Sequence, residues 1–118
     1  MRAGRVVKIE QQFNEGGFDD NFKFKANYVQ ILHDDLTLAK YVHLKLNGVV
    51  VQHGQLVQAG DLIGYSGNTG YSSGPHLHIS VSALDTINKS LTFQTIFKTA
   101  SNLDGEILEE GKSYTAID

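Results

Sequence analysis

Cysteine is absent from the 118-residue chain, so it has no disulfide framework, no thiolate nucleophile and no cysteine-based metal site. Zinc-finger chemistry is excluded, while the compartment stays open. Lysine and arginine form no cluster, and 10 basic residues against 13 acidic ones leave a formal charge of −3. That balance argues against a nucleic-acid footprint. No apolar run approaches the ~20 residues of a membrane span. The N-terminus, Met1-Arg2-Ala3-Gly4-Arg5, opens into a strand pattern with no secretory apolar region. The expectation is a cytoplasmic protein, or one whose export signal lies outside this chain. Internal repeats, low-complexity tracts and amphipathic helices of about ten residues are also missing.

What remains is a folded domain. Hydrophobic residues at 41% and charged residues at 19% suit one globular unit with a real core. Short β-type segments are spaced by turn residues. Val6-Val7-Lys8-Ile9-Glu10 reads as a strand, residues 14–21 as a loop whose large apolar group is Phe18, and residues 27–32 as a second strand. His33-Asp34-Asp35 turns the chain, and residues 36–46 run back as a hairpin partner containing Tyr41-Val42-His43-Leu44. Residues 49–51 form a short strand, and the glycines at 54, 60 and 64 mark tight turns. A turn or short helical piece is expected at 83–90, a strand at 91–97, a loop at 101–105 and a last extended segment after Gly111. The expected fold is all-β, a barrel-sandwich or β-sandwich of short antiparallel strands spanning 1–118 as a single domain.

One stretch organises the rest, residues 64–81. Its first half is a Gly/Ser/Asn loop in which Gly67, Gly70 and Gly74 permit close backbone approach. Its second half, 76–81, alternates in the strand period, with His76, His78 and Ser80 on one face and Leu77, Ile79 and Val81 on the other. The second set is expected in the core. Two imidazoles side by side next to a pliable loop can make a metal or proton-transfer site. They are also compatible with two solvated polar residues, since a zinc site needs three or four ligands.

Four segments in one order carry a family resemblance: Tyr41-Val42-His43-Leu44, the run from Gly54 to Gly64, Ser66-Gly67-Asn68-Thr69-Gly70, and Gly74-Pro75-His76-Leu77-His78. Together they resemble the catalytic domain of the lysostaphin-type (LytM-type) zinc metalloendopeptidases, which cleave peptide cross-links of bacterial peptidoglycan. The match covers residues 3–81, leaving 82–118 as a C-terminal extension of β character. The resemblance implies one zinc ion with His78 as a ligand, and His43 and His76 as catalytic residues beside a metal-bound water. It implies a substrate groove involving Tyr41, Asn68, Thr69, Ser72 and Ser73. It further implies a peptidoglycan peptide as partner, a bacterial cell envelope location (periplasmic or extracellular), and room for a protein partner there.

The family takes two further ligands, a histidine and an aspartate, from a segment before the strand matched by residues 4–9, and the 118 residues do not include it. The chain is therefore expected to be an incomplete or inactive endopeptidase domain. The alternative is a degenerate, non-catalytic member that binds or regulates cell-wall hydrolases. His33 and His53 are expected at turn or surface positions. Residues 54–64 also resemble lipoyl- and biotinyl-carrier hairpins, but no lysine stands between Leu56 and Tyr71 to carry the group. The Gly-Pro-His-Leu-His segment fits a sugar-transport histidine phosphocarrier less well.

Overall fold

Period-two alternation builds one large sheet and leaves short segments to cover it. The computed structural model describes residues 1–84, 90–100 and 102–115. The strands are β1 (Gly4–Glu10), β2 (Gly16–Gly17), β3 (Tyr28–Leu32), β4 (Leu38–Val42), β5 (Leu44–Val49) and β6 (Leu56–Val57). They continue as β7 (Gly64–Ser66), β8 (Gly70–Tyr71), β9 (His78–Leu84), β10 (Ser90–Phe93), β11 (Phe97–Thr99) and β12 (Asn102–Glu106). A single 3-10 turn, Asp20–Phe22, is the helical element among the described residues. The all-β expectation holds.

Six strands form an antiparallel sheet in the order β10-β9-β4-β3-β1-β6. Register decides which residues share a face. Val29 lies opposite Tyr41, which lies opposite Ile79; Ile31 lies opposite Ala39, which lies opposite Val81. These rows face the core, where Val6, Val29, Ile31 and Val57 are at most 1% exposed. Each such side chain contributes ~1.5–3 kcal/mol by leaving water. A bulge at Val7 shifts the register so that Val6 meets Ile31 and Ile9 meets Val29. The extra residue keeps both apolar side chains inward.

The second layer is small. β5 and β7 pair antiparallel, and Leu44, Val49, Val51 and Ile63 pack against the sheet. β2 and β8 form a parallel pair, the one departure from the expected antiparallel pattern among the described strands. β11 and β12 make a separate hairpin.

Several expected boundaries move. The run 36–46 is two strands, broken at His43, whose φ is +67°. Val50 and Val51 fall outside β5. The strand expected over 91–97 is split between β10 and β11. Residues 102–105 are strand instead of loop, because β12 finds a partner in β11. The piece expected at 83–90 begins and ends in strand, with 85–89 outside the described residues, as are Ser101 and the chain end at 116–118.

Leu77 is the clearest correction. It is 45% exposed, while Ile79 and Val81 do pack against the core. β9 begins at His78, and His76 makes only an isolated bridge to Gly67. Alternation put Leu77 on the side of Tyr41, Leu44 and Ser66, with which it borders a small cavity, but that side leaves it half open to solvent. His33 opens a turn, as expected, its carbonyl accepting from the Leu36 N–H at 3.0 Å, but it is not at the surface. It is 4% exposed, and its Nδ1–H donates to the Ala3 carbonyl at 2.9 Å. His53 is exposed, as expected.

Candidate metal centre

The site begins where β4 ends. His43 takes the left-handed conformation, which costs a non-glycine residue ~1–2 kcal/mol and needs surroundings that enforce it. Those surroundings are visible. Its carbonyl accepts from the Gly67 N–H at 2.8 Å, and its Nδ1–H donates to the Thr69 carbonyl at 2.6 Å. The next residue's N–H donates to the Asn27 carbonyl at 3.2 Å. Thr69 is itself fixed: its hydroxyl accepts from the Asn27 N–H at 3.0 Å and donates to the Leu44 carbonyl at 2.8 Å. Asn27, fully buried, spans the Phe13 and Leu44 backbones with its amide.

The Nδ1 bond settles the tautomer of His43, since a carbonyl can only accept. Its Nε2 is left with a lone pair. Burial holds the His43 pKa below 6.5, helped by His76 and His78, and opposed by the Thr69 carbonyl. The buried imidazole is therefore neutral at pH 7.

His76 is held differently. It is exposed, follows Pro75, and its N–H donates to the Gly67 carbonyl at 3.2 Å. Its Nδ1–H donates to the Gly74 carbonyl at 2.7 Å, with the Ser72 hydroxyl 3.2 Å away. Its Nε2 is also left free to accept. His78, the first residue of β9, lies opposite Val42 and makes no hydrogen bond through its ring among the described residues.

These three histidines converge. The ring centroids of His43 and His76 are 4.6 Å apart, and those of His43 and His78 are 5.9 Å apart. One nitrogen of each lies within 4.8 Å of the others. Two imidazoles on one tetrahedral zinc, at ~2.0–2.1 Å each, would have nitrogens about 3.4 Å apart. A small closure separates the cluster from that spacing. Neutral imidazoles are among the usual donors for zinc, so the residues present fit such an ion.

The histidines sit in an open cleft of about 650 Å³. Ser72 and Ser73, expected in the groove, line it. The other groove residues lie elsewhere. Tyr41 is on the core face and borders a smaller cavity of about 220 Å³ with Leu77 and Ile63. Thr69 is buried beneath His43, and Asn68 holds a buried Oδ1 with no partner among the described residues.

Phe18, Lys23 and Phe24, from the segment between β2 and β3, form an exposed lip, Phe18 against Tyr71 at 4.9 Å, with half-buried Tyr28 and Lys40 on the floor. Sequence reasoning missed these lining residues. Pairing register brings two of them there. Tyr28 aligns with Val42 and Val42 with His78, so Tyr28 and Lys40 share the outward face with His78.

Comparison with known proteins bears out the resemblance to lysostaphin-type domains. The chain is 45% identical over 58 residues to the peptidoglycan DD-endopeptidase ShyA of Vibrio cholerae, covering 49% of this chain and 13% of that protein. It is 55% identical over 79 residues to lysostaphin of Staphylococcus simulans, covering 66% of this chain and 14% of that protein. The crystal structure of a zinc-containing peptidase from Vibrio cholerae superposes with a TM-score of 0.53 at 28% identity, over 77% of this chain and 24% of the other. The chain thus spans about a seventh of the length of the relatives it matches. Residues 1–91 match Peptidase family M23 throughout, and the chain belongs to that family.

Proposed function

We propose that this chain carries part of the active site of a zinc-dependent endopeptidase that cleaves peptide cross-links in bacterial peptidoglycan, in the cell envelope. The observation that carries the reading is the convergence of His43, His76 and His78 in the cleft. His78 is the zinc ligand. His43 and His76 act on the water and the scissile peptide. When bound, zinc supplies a Lewis acid that polarises a carbonyl and makes a water acidic.

The chain's own residues do the rest. His43 presents an unprotonated Nε2 because Thr69 holds the proton on Nδ1, which suits a general base. His76, oriented by Gly74, takes up or returns a proton from the exposed side of the cleft. Ser72 and Ser73 contribute one wall for an extended peptide.

One family ligand with two auxiliary histidines makes a weak zinc site, and a His76 recruited to the ion is no longer free for proton transfer. The 118-residue chain alone is accordingly expected to bind zinc weakly and not to lyse walls. A longer chain that carries an upstream His-x-x-x-Asp is expected to bind zinc tightly and to lyse walls.

Zinc calorimetry beside turbidity clearing of purified cell walls, on both chains, tests this. Submicromolar binding with lysis by the short chain overturns the ligand assignment. Failure of the extended chain to lyse walls while it binds zinc favours a non-catalytic regulator.

A further inference from the structure

The cleft has a charge that the chain as a whole does not. The protein is acidic at −3, yet no aspartate or glutamate lines the cleft among the described residues, whereas Lys23 and Lys40 do. Lys23 stands on the lip and is 3.6 Å from Asp20. Lys40 is half-buried on the floor and pairs with no carboxylate among the described residues. Its ammonium lies 4.2 Å from the centre of the Tyr28 ring, and Lys8 approaches the same ring at 5.8 Å. Glu10, across from Tyr28, accepts from the Gln12 N–H instead. A cation held on an aromatic face loses part of its hydration and rotamer freedom before any ligand arrives.

We propose that Lys40 is a carboxylate-recognition residue, selecting peptides that carry a free carboxylate about two residues from the bond held at the histidines. This rests on reading the cleft as a peptide groove. The spacing comes from the sheet. Val42 aligns with His78, and Lys40 with Ser80 on the same face, so Lys40 stands two residues along the strand, about 7 Å from the histidine row. An extended peptide covers that distance in two residues. Lys8, at the same Tyr28 ring, adds positive charge beside Lys40, which favours an anion over its neutral analogue.

Binding of N-acetylated tetra-alanine, as free acid and as C-terminal amide, to the zinc-free 118-residue chain tests the proposal by nuclear magnetic resonance at the Lys40 and His78 side chains. The acid is expected to bind up to about fivefold more tightly, as suits a partly exposed ion pair, with the difference shrinking in salt. Lys40→Met and Lys40→Gln should each remove the difference between acid and amide, while Lys40→Arg keeps it. Equal affinities in the unmodified chain, a preference that survives both neutral variants, or no saturation of either peptide by about 10 mM would overturn the proposal. Zinc binding and wall lysis do not enter this measurement, so a failed peptidase reading and a failed Lys40 site give different results.

Discussion

His43 and His76 nearly touch, with centroids 4.6 Å apart, yet they are positioned by opposite means. His43 is 8% exposed and is fixed through the core by the Gly67 N–H on its carbonyl, the Thr69 carbonyl on its ring, and the Asn27 carbonyl on the next residue's N–H, all distant in sequence. His76 is exposed and is oriented mostly within its own loop, by Ser72 and Gly74. The first arrangement is expensive to disturb because it carries buried polar groups. The second can shift without exposing anything. A rigid imidazole thus stands beside an adjustable one.

The contrast is tested most severely at Asn27. Asn27→Ala deletes three hydrogen bonds to the Phe13 and Leu44 backbones and should cost about 3 kcal/mol. Urea unfolding measures it, and a loss below about 1 kcal/mol would mean the His43 corner is not core-fixed.

Acid should act next, and in the same place. The His43 pKa is depressed by burial, so the folded state favours the neutral ring. Its contribution to stability is present above the unfolded value near 6.5 and is lost as pH falls through the lower folded value. Zinc-free protein should therefore show part of its acid destabilisation abolished in His43→Gln, with midpoints followed from pH 7.5 to 4.5. An unchanged pH dependence would place that coupling elsewhere.

Leu77→Ala should cost less than about 1 kcal/mol, since the side chain is 45% exposed and leaves no closed cavity. The sequence pattern alone would predict several times more. His76→Ala should cost least, within about 0.5 kcal/mol, and should leave the His43 ring resonances almost in place. A large shift there would show that the two histidines share one support.

The sequence made some of this legible and hid the rest for identifiable reasons. Alternation placed His78 outward and Ile79 and Val81 inward, because strand geometry assigns faces residue by residue. It could not say how fully a face is covered, and Leu77 stays 45% exposed although it borders Leu44 and Ser66 of the second layer. The left-handed turn at His43 has no local signature, since no glycine or asparagine occupies it; long-range contacts impose it. His33 is the turn residue it looked like, but it is also buried, with its ring bonded to the Ala3 carbonyl, a contact from a distant strand end. Lys40 and Tyr28 reached the cleft only through pairing register, which a linear reading does not supply.

Gly16 and Gly17 run parallel to Gly70 and Tyr71, so closely that a Cβ on Gly16 would fall 1.8 Å from the Asn68 carbonyl oxygen. A Cβ on Gly70, at φ +83°, would meet Ala26 at 2.5 Å. This seam, together with buried Asn27, clamps both ends of the segment that carries Phe18, Lys23 and Phe24. The segment between the clamps is then an exchangeable cassette. Its length and side chains can be rewritten, as surface loops on a fixed scaffold generally can, while the histidines keep their places.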